Sequence, residues 1–154
     1  MKLKYRTAVI ITPYVFALAA TSHAKTFFVV PDSGTIQAAI DEAAASPGAD
    51  TVLLRPGTYI ESIEIEDEDA LTLRGTNVTI ESVDDDTDVI KINGGDVTIL
   101  NVTITGGDDG IDANGNIEDE NNSLTLVNVD ILENDDRGIE ADEVYSVNIK
   151  NSKY

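Results

Sequence analysis

Residues 105–114 read TGGDDGIDAN, and the segment Asp108-Asp109-Gly110-Ile111-Asp112 is the part of the chain best equipped for chemistry. Two adjacent acids, a glycine that permits a tight turn, and an Asp on the strand that follows can converge on one hard cation through oxygen ligands. The same residue types also make an ordinary solvated acidic turn, and both readings stand at this point. Asn134-Asp135-Asp136-Arg137-Gly138-Ile139-Glu140 repeats the pattern further on, with Arg137 inserted.

Composition narrows what else is available. The chain has 154 residues, no Cys, no Trp and one His, His23. Disulfides, thiolate metal sites, histidine triads and histidine zinc clusters are therefore excluded. Lys and Arg number 10 against 29 Asp and Glu, a formal charge of -19. Nucleic acid is not expected as a partner, because phosphate binding needs a basic face that these few scattered cations do not form.

Lys2, Lys4 and Arg6 precede an apolar run from Ala8 to Ala20, followed by Ser22-His23-Ala24. This is the pattern of a secretory signal peptide over residues 1–24, and it predicts a secreted, periplasmic or cell-surface protein. The run is short for a membrane span and is interrupted by Pro13, so no span is expected after cleavage. Cleavage removes three basic residues, no acidic ones, and the only histidine. Seven Lys/Arg then face 29 Asp/Glu, a charge of -22.

The elements that must position the acids follow from hydrophobic spacing. Thr26 to Val30 reads as a short strand. Ile36, Ala39, Ile40, Ala43 and Ala44 then mark one amphipathic helix, with Ser33 or Thr35 as its cap and Ser46-Pro47-Gly48 as its stop. Residues 25–50 thus form an N-terminal cap of strand and helix, and from residue 51 the period is two. Three families of short strands recur there, each with two apolar residues around one polar residue. The first holds Ile63/Ile65, Ile90/Ile92, Ile111/Ala113 and Ile139/Ala141. The second holds Leu71/Leu73, Val97/Ile99, Leu124/Leu126 and Val147/Ile149. The third holds Val52/Leu54, Val78/Ile80, Val102/Ile104 and Val129/Ile131. Within each family the spacing is 21 to 28 residues.

Three strands per turn of roughly 25 residues predict an all-β fold, a right-handed parallel β-helix over residues 51–154 whose coils stack about 4.8 Å apart. An antiparallel sandwich also uses short, evenly spaced strands, but it has no need of the same three-part order repeated down the chain. The helix is expected to cap the open N-terminal end, where an exposed edge would invite aggregation. The C-terminal coil is expected to be incomplete at Tyr154. Asn101, Asn128 and Asn151 fall at one turn position in successive coils and predict an internal hydrogen-bonded ladder. In the first family the outward residues are Glu64, Lys91, Asp112 and Glu140, followed by Glu66, Asn93, Asn114 and Asp142. Stacked in register, these two columns put carboxylates from neighbouring coils about 5 Å apart on one face, which raises their pKa values unless a cation or a basic side chain lies among them.

The stretch TIQAAIDEAAASPGADTVLLRPGTYIESIEI, Thr35 to Ile65, resembles the cap and first coil of secreted parallel β-helix proteins of the pectin-lyase-like superfamily. Gly57-Thr58-Tyr59-Ile60-Glu61 matches the GxYxE motif of pectin methylesterases, although the QDTL and DFIFG segments of that family are missing. The polygalacturonase pattern is missing as well. The DDGID segment is similar to the DDGxD calcium loop of polysaccharide lyase family nine. That resemblance implies Ca2+ held by Asp108, Asp109 and Asp112, with a further ligand from the preceding coil, Asp86 or Asp88. It also implies an acidic polysaccharide as partner, lying on the face of Glu64, Asp112, Glu140 and Asp142.

A polyuronate lyase also needs a base to remove the proton beside the metal-bound carboxylate. Without histidine, the candidates are Lys91 and Arg137. Lys91 sits between Glu64 and Asp112 in its column, which predicts an ion-pair partner. In the resembling lyases the basic residue comes from a coil beyond the calcium loop. The alternative to an enzyme is a non-catalytic surface, adhesin or structural repeat module.

Overall fold

A computed structural model describes residues 23–114, 122–142, 144 and 146–154, the side chains of 67–69 excepted. All but the last two positions of the expected leader lie outside the described residues. Among the described residues no helix is long and apolar enough to cross a membrane.

In chain order the elements are β1 (Thr26–Val29), α1 (Ile36–Ala44), β2 (Asp50–Leu54), β3 (Gly57–Ile60), β4 (Ile63–Glu81), β5 (Ile90–Thr105), β6 (Asp109–Asn114), β7 (Ser123–Val127), β8 (Asp130–Leu132), β9 (Arg137–Asp142) and β10 (Ser146–Lys150). Every strand pairing is parallel, and partners lie about one coil apart in sequence. The described residues form a parallel β-solenoid with a single short helix, as the spacing predicts.

Alternation drives the coil. Ile65, Leu73, Ile80, Ile90, Ile99, Ile104 and Ile111 are fully buried and point inward. The residues between them point out. Each inward Ile or Leu contributes roughly 1.5–3 kcal/mol by leaving water, and the stacked rungs make these continuous aliphatic files.

The register refines the sequence reading in two places. Val52 pairs with Leu73, so β2 belongs to the second strand family and not the third. The third position of that coil is filled by β3, where Tyr59 pairs with Ile80. An apolar pair spaced by two does not say which side of the coil it serves, and here the Arg55-Pro56-Gly57 corner sets the side. In addition, β4 and β5 run unbroken through the corners as single bent strands, with register shifts between Glu68 and Leu71 and between Arg74 and Val78.

Asparagines mark the corner between the second and third positions. Asn77, Asn101, Asn128 and Asn151 all have positive φ, between 51° and 57°. Asn visits this left-handed conformation more readily than other non-glycine residues. Asn128 Nδ2 donates to Asn101 Oδ1 at 2.9 Å, so part of the expected ladder exists. It lies on the surface, however, because the left-handed backbone turns these side chains out of the coil.

The helix closes the N-terminal end. Thr35 is its N-cap, accepting from Ala38 N at 3.1 Å, and Ile36, Ile40 and Ala43 are buried beneath it. Glu61 binds the helix start with both oxygens, accepting from Ile36 N at 2.8 Å and Gln37 N at 2.9 Å. At the other end β9 and β10 are each paired on one side, and the third position is reached by a single bridge, Lys153 to Asp130.

Candidate functional site: the acidic column and its groove

Pairing puts Glu64 opposite Lys91, Lys91 opposite Asp112, and Asp112 opposite Glu140. The outward column predicted from the first strand family therefore stands in one file with a rung between neighbours. Beside it Glu66 lies opposite Asn93, and Asn114 opposite Asp142.

Several nominated residues share a groove of about 440 Å³, among them Glu64, Asp86, Asp88, Lys91 and Asp108. Gln37 of α1 forms its wall toward the cap. The Gln37 amide donates to Glu64 O at 2.9 Å and accepts from Glu64 N at 2.8 Å, covering the first-family edge as a neighbouring strand would. This role has no sequence signal beyond polarity on a helix, whereas Glu61 stands out in the sequence through the GxYxE motif, though its bond to the helix start does not.

The acids of the DDGID segment divide into two kinds. Asp109 is 5 % exposed and is already engaged. Its Oδ1 accepts from Arg137 N at 2.9 Å, and its Oδ2 lies 3.4 Å from the Arg137 guanidinium. Asp88 does the same one coil earlier, accepting from Asp109 N at 3.1 Å. Both carboxylates thus bind the backbone of the next coil. Asp108 and Asp86, in contrast, are exposed.

Gly110 does not make the tight turn expected of it. It lies within β6 at ordinary φ. A Cβ there would collide with Ile131, Asn134 and the Gly138 carbonyl, so close stacking of two coils excludes any side chain.

Crowded charge governs the titration of this face. Partial desolvation raises the Asp108 carboxyl, and repulsion from Asp109, Asp136, Asp88 and Asp135 adds to it. Asp112 is also raised, by desolvation first and then by Asp88, with Lys91 opposing. Both Asp112 oxygens accept from Asn114 Nδ2, at 2.9 and 3.1 Å. Glu140 is raised because desolvation outweighs the pull of Arg137.

The two basic candidates differ sharply. Arg137 meets three carboxylates, Asp109 at 3.4 Å, Asp136 at 3.2 Å and Glu140 at 2.8 Å, and these push its already high pKa higher. It is a charge bridge. Lys91 is exposed and, among the described residues, makes no ion pair, contrary to the expectation from its column neighbours. One rung holds backbones about 4.8 Å apart but leaves long side chains free to extend into water, which separates their charges.

The donor set is all oxygen, which suits a hard cation such as calcium. As the side chains stand, no three acidic groups among the described residues are close enough together to hold an ion. No protein-family model and no curated protein matches the chain.

Proposed function

We propose that this β-solenoid binds acidic polysaccharide through calcium on the face of Glu64, Asp112, Glu140 and Asp142. The observation that carries the reading is the gathering of Glu64, Asp86, Asp88 and Asp108 around one groove, with desolvation and crowding that also raise the Asp108 and Asp112 carboxyls. Such a cluster gains from a divalent cation, and a cation is also what a strongly negative chain needs to hold a polyanion. Asp108 and Asp86 are the exposed acids able to swing toward a shared ion, with Asp112 four residues beyond Asp108 in the same coil. Asp88 and Asp109 would contribute only the oxygen capacity left over from their backbone bonds. The resemblance of DDGID to the calcium loop of family nine lyases supports the same reading, as does the leader at residues 1–24, which points to action outside the cytoplasm.

A second reading, calcium-dependent β-elimination, rests on Lys91. It lies in the groove beside the acids and, among the described residues, makes no ion pair, and in its neutral form its amine could remove the proton next to a metal-bound carboxylate. Arg137, bridged by three acids, keeps its proton and does not serve. Binding without elimination makes the chain a non-catalytic surface module.

One assay separates these readings. The purified chain is run by affinity electrophoresis through polygalacturonate with calcium or EDTA, and the same mixtures are followed by ultraviolet absorbance for the unsaturated product. Calcium-dependent retardation without product supports the binding module. Retardation with product that Lys91→Ala abolishes supports the lyase. Equal mobility with and without calcium overturns the proposal.

A further inference from the structure

A second face of the solenoid carries the opposite chemistry. On the second strand family one outward file runs Thr26, Thr51, Thr72, Thr98, Thr125 and Asn148, each paired with the next. The adjacent outward file runs Phe28, Leu53, Arg74, Leu100, Val127 and Lys150 by the same pairings. Neither file contains an acid, in a chain with 29 of them. Arg74 and Lys150 are exposed and, among the described residues, make no ion pair. At the capped end Arg55 lies over the Phe28 ring, 5.7 Å from its centre, adding a third cation beside the file.

From this segregation we infer that the threonine and arginine face docks against the acidic column of a second copy of this chain, so that solenoids associate side by side. Charge complementarity names the occupant. The cations Arg55, Arg74 and Lys150 of one copy meet the file containing Glu64, Asp112 and Glu140 of the next. The repeat names it as well. Both faces are built on the same rung spacing of about 4.8 Å, so on two parallel copies Arg74 stands level with Glu64 and Lys150 with Glu140, while Lys91 falls opposite the uncharged Leu100. Leu53, Leu100 and Val127 supply apolar contact between the charges, and the threonine file supplies hydroxyl donors and acceptors.

The two faces are different surfaces of one molecule, so the contact is heterologous and does not close on itself. A file of six rungs spans only about 24 Å, which places the contact at the small end of protein interfaces. The association is therefore weak and sensitive to salt. It does not depend on the polysaccharide reading.

Sedimentation velocity in EDTA tests it at about 0.15 M salt, where the net repulsion between two copies is screened beyond about 8 Å while contact pairs remain, and at about 1 M salt. The wild-type chain forms an open series of oligomers at the lower salt and disperses at the higher. The double variant Arg74→Gln/Lys150→Gln loses the basic face, and Glu64→Gln/Asp112→Asn loses the acidic one. Each is monomeric alone at the lower salt, and their equimolar mixture gives a 1:1 complex and nothing larger. Circular dichroism checks that both variants keep the wild-type β spectrum, and Arg74→Ala/Lys150→Ala replaces the first variant if it does not fold. A wild-type chain that stays monomeric at the lower salt overturns the inference, as does assembly of either variant alone to the wild-type extent.

Discussion

The Asp109 carboxylate takes the backbone N–H of Arg137 on one oxygen and faces the Arg137 guanidinium with the other. Asp109 in turn gives its own backbone N–H to Asp88. A run of acids that reads as a ligand loop is, at these two positions, a ladder of carboxylates tying each coil to the next. Arg137 then gathers the surplus charge of Asp109, Asp136 and Glu140.

Removing that tie costs stability. Asp109→Ala frees a backbone N–H and strips Arg137 of its most buried partner, a loss of about 1–3 kcal/mol in urea unfolding. Asp109→Asn keeps an acceptor for the N–H and loses less. Asp108→Ala, at an exposed position with no such bond, stays within about 0.5 kcal/mol. Equal losses at 108 and 109 would contradict the division of roles.

Gly110→Ala forces a methyl group into Ile131, Asn134 and the Gly138 carbonyl. Overpacking of this kind costs about 1–3 kcal/mol, read as a lowered melting temperature. An unchanged melting temperature would mean that the two coils do not stack as closely as described.

The Gly57-to-Glu61 motif fastens the cap. Tyr59 OH donates within a pocket of two carbonyls, Val29 O at 3.0 Å and Arg55 O at 2.9 Å, while Glu61 holds the start of α1. Glu61→Ala leaves two helix N–H groups without their partner and lowers stability by about 1–2 kcal/mol in urea unfolding. No loss would detach the motif from the helix.

The pH dependence has a definite sign. Asp108 and Asp112 hold their protons to higher pH in the folded chain than the ordinary value of 3.8. Above 3.8 the folded state therefore binds more protons than the unfolded one, and these two groups lower stability as pH rises through their raised values. The double variant Asp108→Asn/Asp112→Asn escapes this loss, so its melting temperature rises relative to wild type between about pH 3 and pH 7. A difference that stays flat or falls would show that the two carboxyls are not crowded.

Much of this architecture was legible in the spacing of apolar pairs. Ile63/Ile65, Ile90/Ile92 and Ile111/Ala113 stack as expected because burial demands one inward face and the coil length repeats, and Ile139/Ala141 keep the register although Ile139 is half-buried and Ala141 exposed. Val52/Leu54 was misplaced because period-two alternation is the same on every side of a coil. The column of Glu64, Lys91, Asp112 and Glu140 followed from the same arithmetic. What those residues do with their charges did not. The bonds of Asp88 and Asp109 to the next coil depend on corner geometry, and the helix contacts of Gln37 and Glu61 depend on how the cap settles, neither of which leaves a periodic trace. The asparagine corners were visible as a row, but their exposure comes from left-handed backbone, which a row alone does not reveal.

Calcium binding at the acidic column is the claim on which the functional account turns, and isothermal titration of the purified chain with calcium chloride measures it directly. The account predicts a saturable heat for the wild type, together with a calcium-dependent rise in melting temperature, and loss of both in Asp108→Asn/Asp112→Asn. Titrations that show no heat in the wild type, or the same heat in the double variant, would contradict it.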